Sequence, residues 1–175
     1  MKALFLDRDG IINVDHGYVS TIEEFTFNEG IFELLRLFVQ DGYTLFIVTN
    51  QSGIGRGYYD ASDFEKLTTW MLRELKAREI PIESVHYCHH APGEHCNCRK
   101  PSIGMIEPIL YEYDIDLSRS WMIGDKQSDI DFAHNAGIGH TVAIGTRPIV
   151  NCDYHFDTIL DAKAYFEENW DKIAV

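Results

Sequence analysis

Met1-Lys2-Ala3-Leu4-Phe5-Leu6-Asp7-Arg8-Asp9-Gly10 opens the chain, and its reading decides the fold. Ala3 to Leu6 is an apolar run of strand length and reads as a short buried strand. It stops at once at Asp7 and Asp9, two carboxylates on either side of Arg8. In an open α/β sheet the ligand crevice lies off the carboxyl ends of the strands. Paired carboxylates there repel each other unless a cation or a shared proton intervenes. Asp7 and Asp9 are therefore expected to face a divalent metal and a phosphate.

Further along, the same event recurs. Tyr43 to Val48 is a continuous apolar strand that ends in Thr49-Asn50-Gln51-Ser52-Gly53. Val85 to Tyr87 reads as a third strand, running into a Cys/His segment at 88–98 and then Arg99-Lys100. Ser120 to Ile123 is a fourth, ending in Gly124-Asp125-Lys126-Gln127-Ser128-Asp129. His140 to Ile144 and Asp153 to Ile159 complete the set. Between them, helical spacing is expected over Ile31–Gln40, Asp60–Arg78, Gly104–Tyr113, a segment ending near Ala136, and Asp161–Lys172. In the second of these, Phe64, Leu67, Met71, Leu72 and Leu75 share one face. Strands alternating with helices predict a Rossmann-like α/β fold, a mostly parallel sheet with helices on both faces. The polar strand ends then converge on one edge. With no repeat or linker, residues 1–175 are expected to form one domain.

The converging groups suit phosphoryl transfer. A carboxylate can attack and form an aspartyl-phosphate. A second carboxyl can protonate the leaving oxygen and then deprotonate water. A hydroxyl and a lysine can hold phosphoryl oxygens. Mg²⁺ takes carboxylate, carbonyl and water oxygens and neutralises clustered carboxylates.

Composition narrows the alternatives. A net charge of −13 argues against nucleic acid or an anionic membrane as partner. It also weighs against a nucleic-acid end phosphatase, for which a basic stripe would be expected. No apolar run approaches membrane-spanning length, and Met1-Lys2-Ala3 leads straight into a strand, so a cytoplasmic location is expected. Of the four cysteines, Cys88, Cys96 and Cys98 fall together among histidines, while Cys152 stands alone. Three thiolates and one imidazole suit a closed, tetrahedral, structural Zn²⁺ site. His89, His90 and His95 all compete for the imidazole position. Such a site would aim the adjacent Arg99 and Lys100.

Asp-x-Asp-Gly after the first strand, a threonine closing the second, a lysine, and Gly-Asp-x-x-x-Asp after a late strand together resemble the haloacid dehalogenase (HAD) phosphatase superfamily, over about residues 2 to 145. The resemblance implies that Asp7 is the nucleophile and Asp9 the general acid/base. Thr49 and Lys100 would bind the phosphoryl group. Asp7, the Asp9 main-chain carbonyl and Asp125 would hold Mg²⁺, with Asp129 supporting Lys100 or the metal shell without ligating directly.

Cys-Arg-Lys-Pro after the zinc loop resembles two groups within that superfamily, the heptose 1,7-bisphosphate phosphatases and the histidinol-phosphate phosphatases. His90 is the imidazole that the pattern favours. The stretches 15–19 and 49–57, with Trp70, resemble the heptose group; the short gap between His90 and Cys96 resembles the histidinol-phosphate group. Surface insertions are cheap, so the substrate loops weigh more. The resemblance then implies substrate contacts from Asp15, His16, Gly17, Tyr18, Asn50, Gln51, Ser52, Arg99 and Lys126, and removal of the 7-phosphate on the way to nucleotide-activated heptose. The stretches between Asp9, Thr49 and Lys100 leave no room for a large cap domain. A monomer and a small phosphorylated sugar are expected. The competing readings are histidinol-phosphate hydrolysis and a non-catalytic, zinc-stabilised binding module.

Overall fold

The computed structural model describes residues 1–173. Its six strands form one parallel sheet: β1 (Ala3–Leu6), β2 (Thr44–Asn50), β3 (Ile82–Cys88), β4 (Trp121–Gly124), β5 (His140–Ile144) and β6 (Tyr154–Phe156). Their order is β3-β2-β1-β4-β5-β6. The winding direction reverses between β1 and β4, the place where parallel sheets bind ligands.

β1 is central and wholly buried, which is why it reads as an unbroken apolar run. Side chains alternate across a strand. Leu4 and Leu6 meet helices α1 (Ile31–Gln40), α3 (Ala61–Ala77) and α6 (Ile159–Ile173) on one face. Ala3 and Phe5 meet α4 (Glu107–Glu112) and α5 (Gln127–Ala136) on the other. Phe5 stacks on Phe46 of β2 with ring centroids 5.5 Å apart. Among the described residues no helix is long and apolar enough to cross a membrane. The connection 7–30 and the segment between β2 and α3 are loops and a single turn, with no inserted cap.

Several bounds differ from the sequence expectation. β2 runs on to Asn50, and β3 is more than twice as long as the apolar Val85–Tyr87 suggests, because this edge strand is only half-buried and mixes polar residues in. β6 spans only Tyr154–Phe156. The expected helix from Gly104 begins at Glu107 instead. Gly104 donates its N–H to Asn97 O at 2.8 Å, and a Cβ there would lie 2.2 Å from the same oxygen. That close approach ties 97–104 to the cysteine loop and keeps it out of the helix. A one-turn helix, α2 (Ser52–Gly55), follows β2 without a sequence signal. Trp70 is placed apart from the substrate loops' cavity. It is half-buried against Phe25 and Phe27, 5.5 and 5.8 Å between centroids, bracing the base of the 15–28 loop.

Candidate active site

Asp7 follows β1, Asp125 follows β4, and Lys100 follows the cysteine loop beyond β3. The Lys100 ammonium, 3% exposed, has its three N–H donors on three acceptors. Val48 O lies at 2.7 Å, Asp129 Oδ1 at 2.6 Å and Asp7 Oδ1 at 3.1 Å. Burial would depress this amine, but Asp129 and Asp7 outweigh it and hold Lys100 above its ordinary value. Asp129 Oδ2 accepts from the main-chain N–H groups of Asp125 and Lys126, so this carboxylate braces both Lys100 and the Asp125 turn. Asn50 grips the main chain of Lys100 at both ends of its amide: Oδ1 accepts from Lys100 N at 2.9 Å, and Nδ2 donates to Lys100 O at 3.4 Å.

The carboxylates are costly as they stand. Burial first, then the Asp129 charge, push Asp7 well above the usual carboxylate range against the pull of Lys100. Burial and Asp129 also raise Asp125, against Lys126 and Arg147. Oxygens of Asp7, Asp125 and Asp129 lie within 4.8 Å of one another, and Asp125 Oδ1 is buried without a hydrogen-bond partner. An all-oxygen set with a buried, unpartnered carboxylate oxygen fits a hard divalent cation.

Asp9 is held differently. Its Oδ1 accepts from Arg8 Nη2 at 2.8 Å, Arg8 Nε at 3.3 Å and Asn13 Nδ2 at 3.0 Å; its Oδ2 accepts from Gln51 Nε2 at 3.0 Å. Arg8 is buried and also donates to Val19 O at 2.7 Å, tying Asp9 to the 15–19 loop. Gln51 is buried too. Its Nε2 donates to Thr49 Oγ1 at 2.9 Å, and its Oε1 accepts from the Tyr59 hydroxyl. Burial raises the Tyr59 phenol to about 12, so it remains a donor. Its bond fixes which end of the Gln51 amide faces Asp9.

A cavity of about 340 Å³ opens from Asp9. The sequence-expected Asp15, Gly17, Tyr18, Asn50, Gln51, Ser52, Arg99 and Lys126 line it. A second space of about 30 Å³ shares Asp9, Asn50 and Lys126 with it and reaches Asp7 and Lys100. Two expected groups are not among the lining residues. His16 is exposed on the loop and lines neither space, because Asp15 and Gly17 are turned inward around a tight turn in which Gly17 N donates to Asp15 Oδ1. Thr49 is fully buried in β2 and also lines neither; its hydroxyl accepts from Gln51 and keeps a proton to donate. Arg56 and Tyr59 line the large cavity without having been singled out as contacts. Arg56 stands within the 49–57 stretch, whereas Tyr59 lies past it and reaches back only through the fold. Tyr18 sits at φ 54, in the left-handed region that side chains avoid, and its ring meets Tyr58 edge-on at 4.7 Å.

Cys88, His90, Cys96 and Cys98 gather their ligand atoms within 4.8 Å. His90 Nδ1 lies 3.2 Å from Cys98 Sγ and 3.5 Å from Cys88 Sγ. His89 and His95 are exposed outside the cluster, His89 against the His90 ring. Burial raises the Cys88 thiol to about 12, while the Arg99 N–H is the main influence lowering Cys96. Three sulfurs and a nitrogen in one closed group fit tetrahedral Zn²⁺. Cys152 lies apart, packed against the small cluster of Ile130, Ala143 and Ile149.

A parallel sheet with Asp-x-Asp, lysine and Gly-Asp-x-x-x-Asp at its carboxyl edge defines a HAD-type hydrolase, and a family model described as HAD-hyrolase-like matches residues 97–146. The chain belongs to the family of D-glycero-D-manno-heptose-1,7-bisphosphate 7-phosphatases. It is 50% identical to the α-anomer enzyme of Campylobacter jejuni over 82% of each chain. It is 48% identical to the β-anomer enzyme of Helicobacter pylori strain J99, over 85% of this chain and 86% of that one. In structure it resembles a D,D-heptose 1,7-bisphosphate phosphatase from B. bronchiseptica complexed with magnesium and phosphate, at 25% identity and a TM-score of 0.83, covering 97% of this chain and 99% of that one.

Proposed function

We propose that this chain hydrolyses the 7-phosphate of D-glycero-D-manno-heptose 1,7-bisphosphate, leaving heptose 1-phosphate for nucleotide-activated heptose synthesis. The observation that carries the reading is the joined pair of spaces: a reacting end at Asp7, Asp9 and Lys100, and a wider end walled by Arg56, Arg99 and Lys126. In a chain of net charge −13, three cations around one cavity suit a substrate with a second phosphate. For the amine and imidazole cations of histidinol phosphate the same wall offers only Asp9 and Asp15 as acidic partners, against three cations.

Asp7 attacks phosphorus, forming the aspartyl-phosphate as the bond to the sugar oxygen breaks. Asp9 gives that oxygen a proton, then takes one from the water that attacks the same phosphorus. Phosphate leaves and the Asp7 carboxylate is restored. Lys100, with the Thr49 hydroxyl proton, steadies the phosphoryl oxygens. Asp7, Asp125 and the Asp9 main-chain carbonyl would hold Mg²⁺, which when bound neutralises the clustered carboxylates and the phosphoryl charge. Asn50 and Gln51 act mainly on Lys100 and Asp9, and Arg99 and Lys126 on the distal phosphate. Cys88, His90, Cys96 and Cys98 would hold a structural Zn²⁺. We take the active form to be a cytoplasmic monomer acting on this small sugar phosphate.

Initial rates on both heptose bisphosphate anomers, histidinol phosphate and fructose 1,6-bisphosphate test the assignment. A heptose bisphosphate is expected to show the highest kcat/KM, by about 100-fold or more over histidinol phosphate, a gap of about 2.7 kcal/mol. Faster turnover of histidinol phosphate would overturn the reading. Tyr59→Phe tests the Gln51 support. Losing one buried hydrogen bond is worth about 1 kcal/mol, so kcat should fall about fivefold with KM little changed.

A further inference from the structure

Arg147 has no role in the proposed reaction, yet it holds Asp125. Its Nη1 donates to Asp125 Oδ2 at 3.0 Å and to Asp125 O at 3.2 Å. The arginine comes from the loop after β5. That loop is anchored at Gly145, whose N–H donates to Phe156 O at 2.8 Å and whose carbonyl accepts from His155 Nε2 at 2.8 Å. Gly10 closes the other side of the carboxylate: a Cβ there would lie 2.3 Å from Asp125 Oδ2. With Oδ2 confined between Gly10 and Arg147, the Asp125 carboxylate has one orientation. Its Oδ1 is left buried and without a partner.

We propose that Arg147 is a positioning residue for the metal site, fixing Asp125 through Oδ2 so that Oδ1 is presented to the divalent cation. The inference rests on the assignment of Asp125 as a Mg²⁺ ligand. Arg147 holds the oxygen that has a partner and leaves the unpartnered one to the cation, so it orients the ligand and does not occupy the cation's place. Its charge works against the cation only weakly, because the side chain is 55% exposed and screened by water. Partners that orient metal ligands typically control about 10–100-fold in affinity.

The test is calorimetric titration of Mg²⁺, repeated with Mn²⁺ followed by electron paramagnetic resonance, on wild type, Arg147→Met, Arg147→Lys and Asp125→Asn. Arg147→Met should weaken binding of both ions about 10–100-fold without lowering the melting temperature of the metal-free protein. Arg147→Lys should recover part of the loss, since a single donor makes both contacts. Wild-type or tighter affinity in Arg147→Met, with binding lost in Asp125→Asn, overturns the proposal alone. Wild-type affinity in Asp125→Asn overturns the metal assignment on which it rests.

Discussion

Asp7→Asn should reduce phosphatase turnover by a factor on the order of 10⁴ or more, the scale seen when a reacting residue is removed. An amide is too weak a nucleophile to form the phosphoryl ester, and Lys100 and Asp129 beside it are committed elsewhere. Lys100 is already bound to Val48 O, Asp129 and Asp7, while Asp129 is committed to Lys100 and two main-chain N–H groups. The same substitution carries a second signature. The folded Asp7 carboxyl holds its proton more tightly than an ordinary carboxyl of 3.8. In metal-free protein its contribution to stability is therefore complete below about pH 4 and is lost as pH rises through the raised folded value. Asn removes that loss. Metal-free Asp7→Asn should melt no lower than wild type at pH 5 and above it at pH 8, and Mg²⁺ should stabilise wild type more than the variant. Steady-state rates and thermal melts at the two pH values check both halves. Intact turnover in Asp7→Asn would remove Asp7 as nucleophile and revive the binding-module reading.

What the sequence exposes here, and what it hides, divides along the range of the interactions. β1, β2, β4 and β5 are buried on both faces, so each appears as a short apolar run, and at β1, β2 and β4 the polar end is marked as well. The start of α3 is equally local. Asp60 Oδ1 accepts from Asp63 N at 2.8 Å, and Asp63 Oδ2 accepts from Asp60 N at 3.1 Å, a reciprocal cap within four residues of chain. β3 is blurred because an edge strand need not be apolar throughout. The functional positions that sequence reading passes over act across the fold. Tyr59 reaches Asp9 through Gln51, Arg147 reaches Asp125 from the next strand's loop, and Arg8 reaches Val19 from inside the motif. None has a spacing that would announce it. Conversely His16, beside the inward Asp15, is left outside by the turn that its neighbours make. Among three neighbouring histidines, spacing left the choice open; the fold sets only the His90 nitrogen among the sulfurs.

Cys98→Ser should abolish stoichiometric zinc and cost both stability and activity, because the cluster ties the end of β3 to the residues that lead into Arg99 and Lys100. Cys88 is the last residue of β3 and wholly buried, and its carbonyl accepts from Gln51 N at 2.8 Å. Cys98 directly precedes Arg99 and Lys100. The turn α2 packs so closely on this loop that a Cβ at Gly55 would lie 2.6 Å from Ala91 N. Without the ion, three thiols and an imidazole crowd together with no covalent bond between them, and the loop gains the freedom that closure had removed. Lys100 keeps its own acceptors, so Arg99 and the cavity wall should loosen first, raising KM before kcat falls. Losing a bound metal belongs among the severe changes, on the order of 3 kcal/mol or more. That amounts to a drop of about 6–12 °C in a chain of this length. Elemental analysis, thermal melts and the KM-to-kcat split read the three effects, and His90→Ala should reproduce them where His89→Ala and His95→Ala do not. A Cys98→Ser protein that keeps one zinc per chain, or that loses it with KM unchanged, would leave the loop's sulfurs without the task of aiming Arg99.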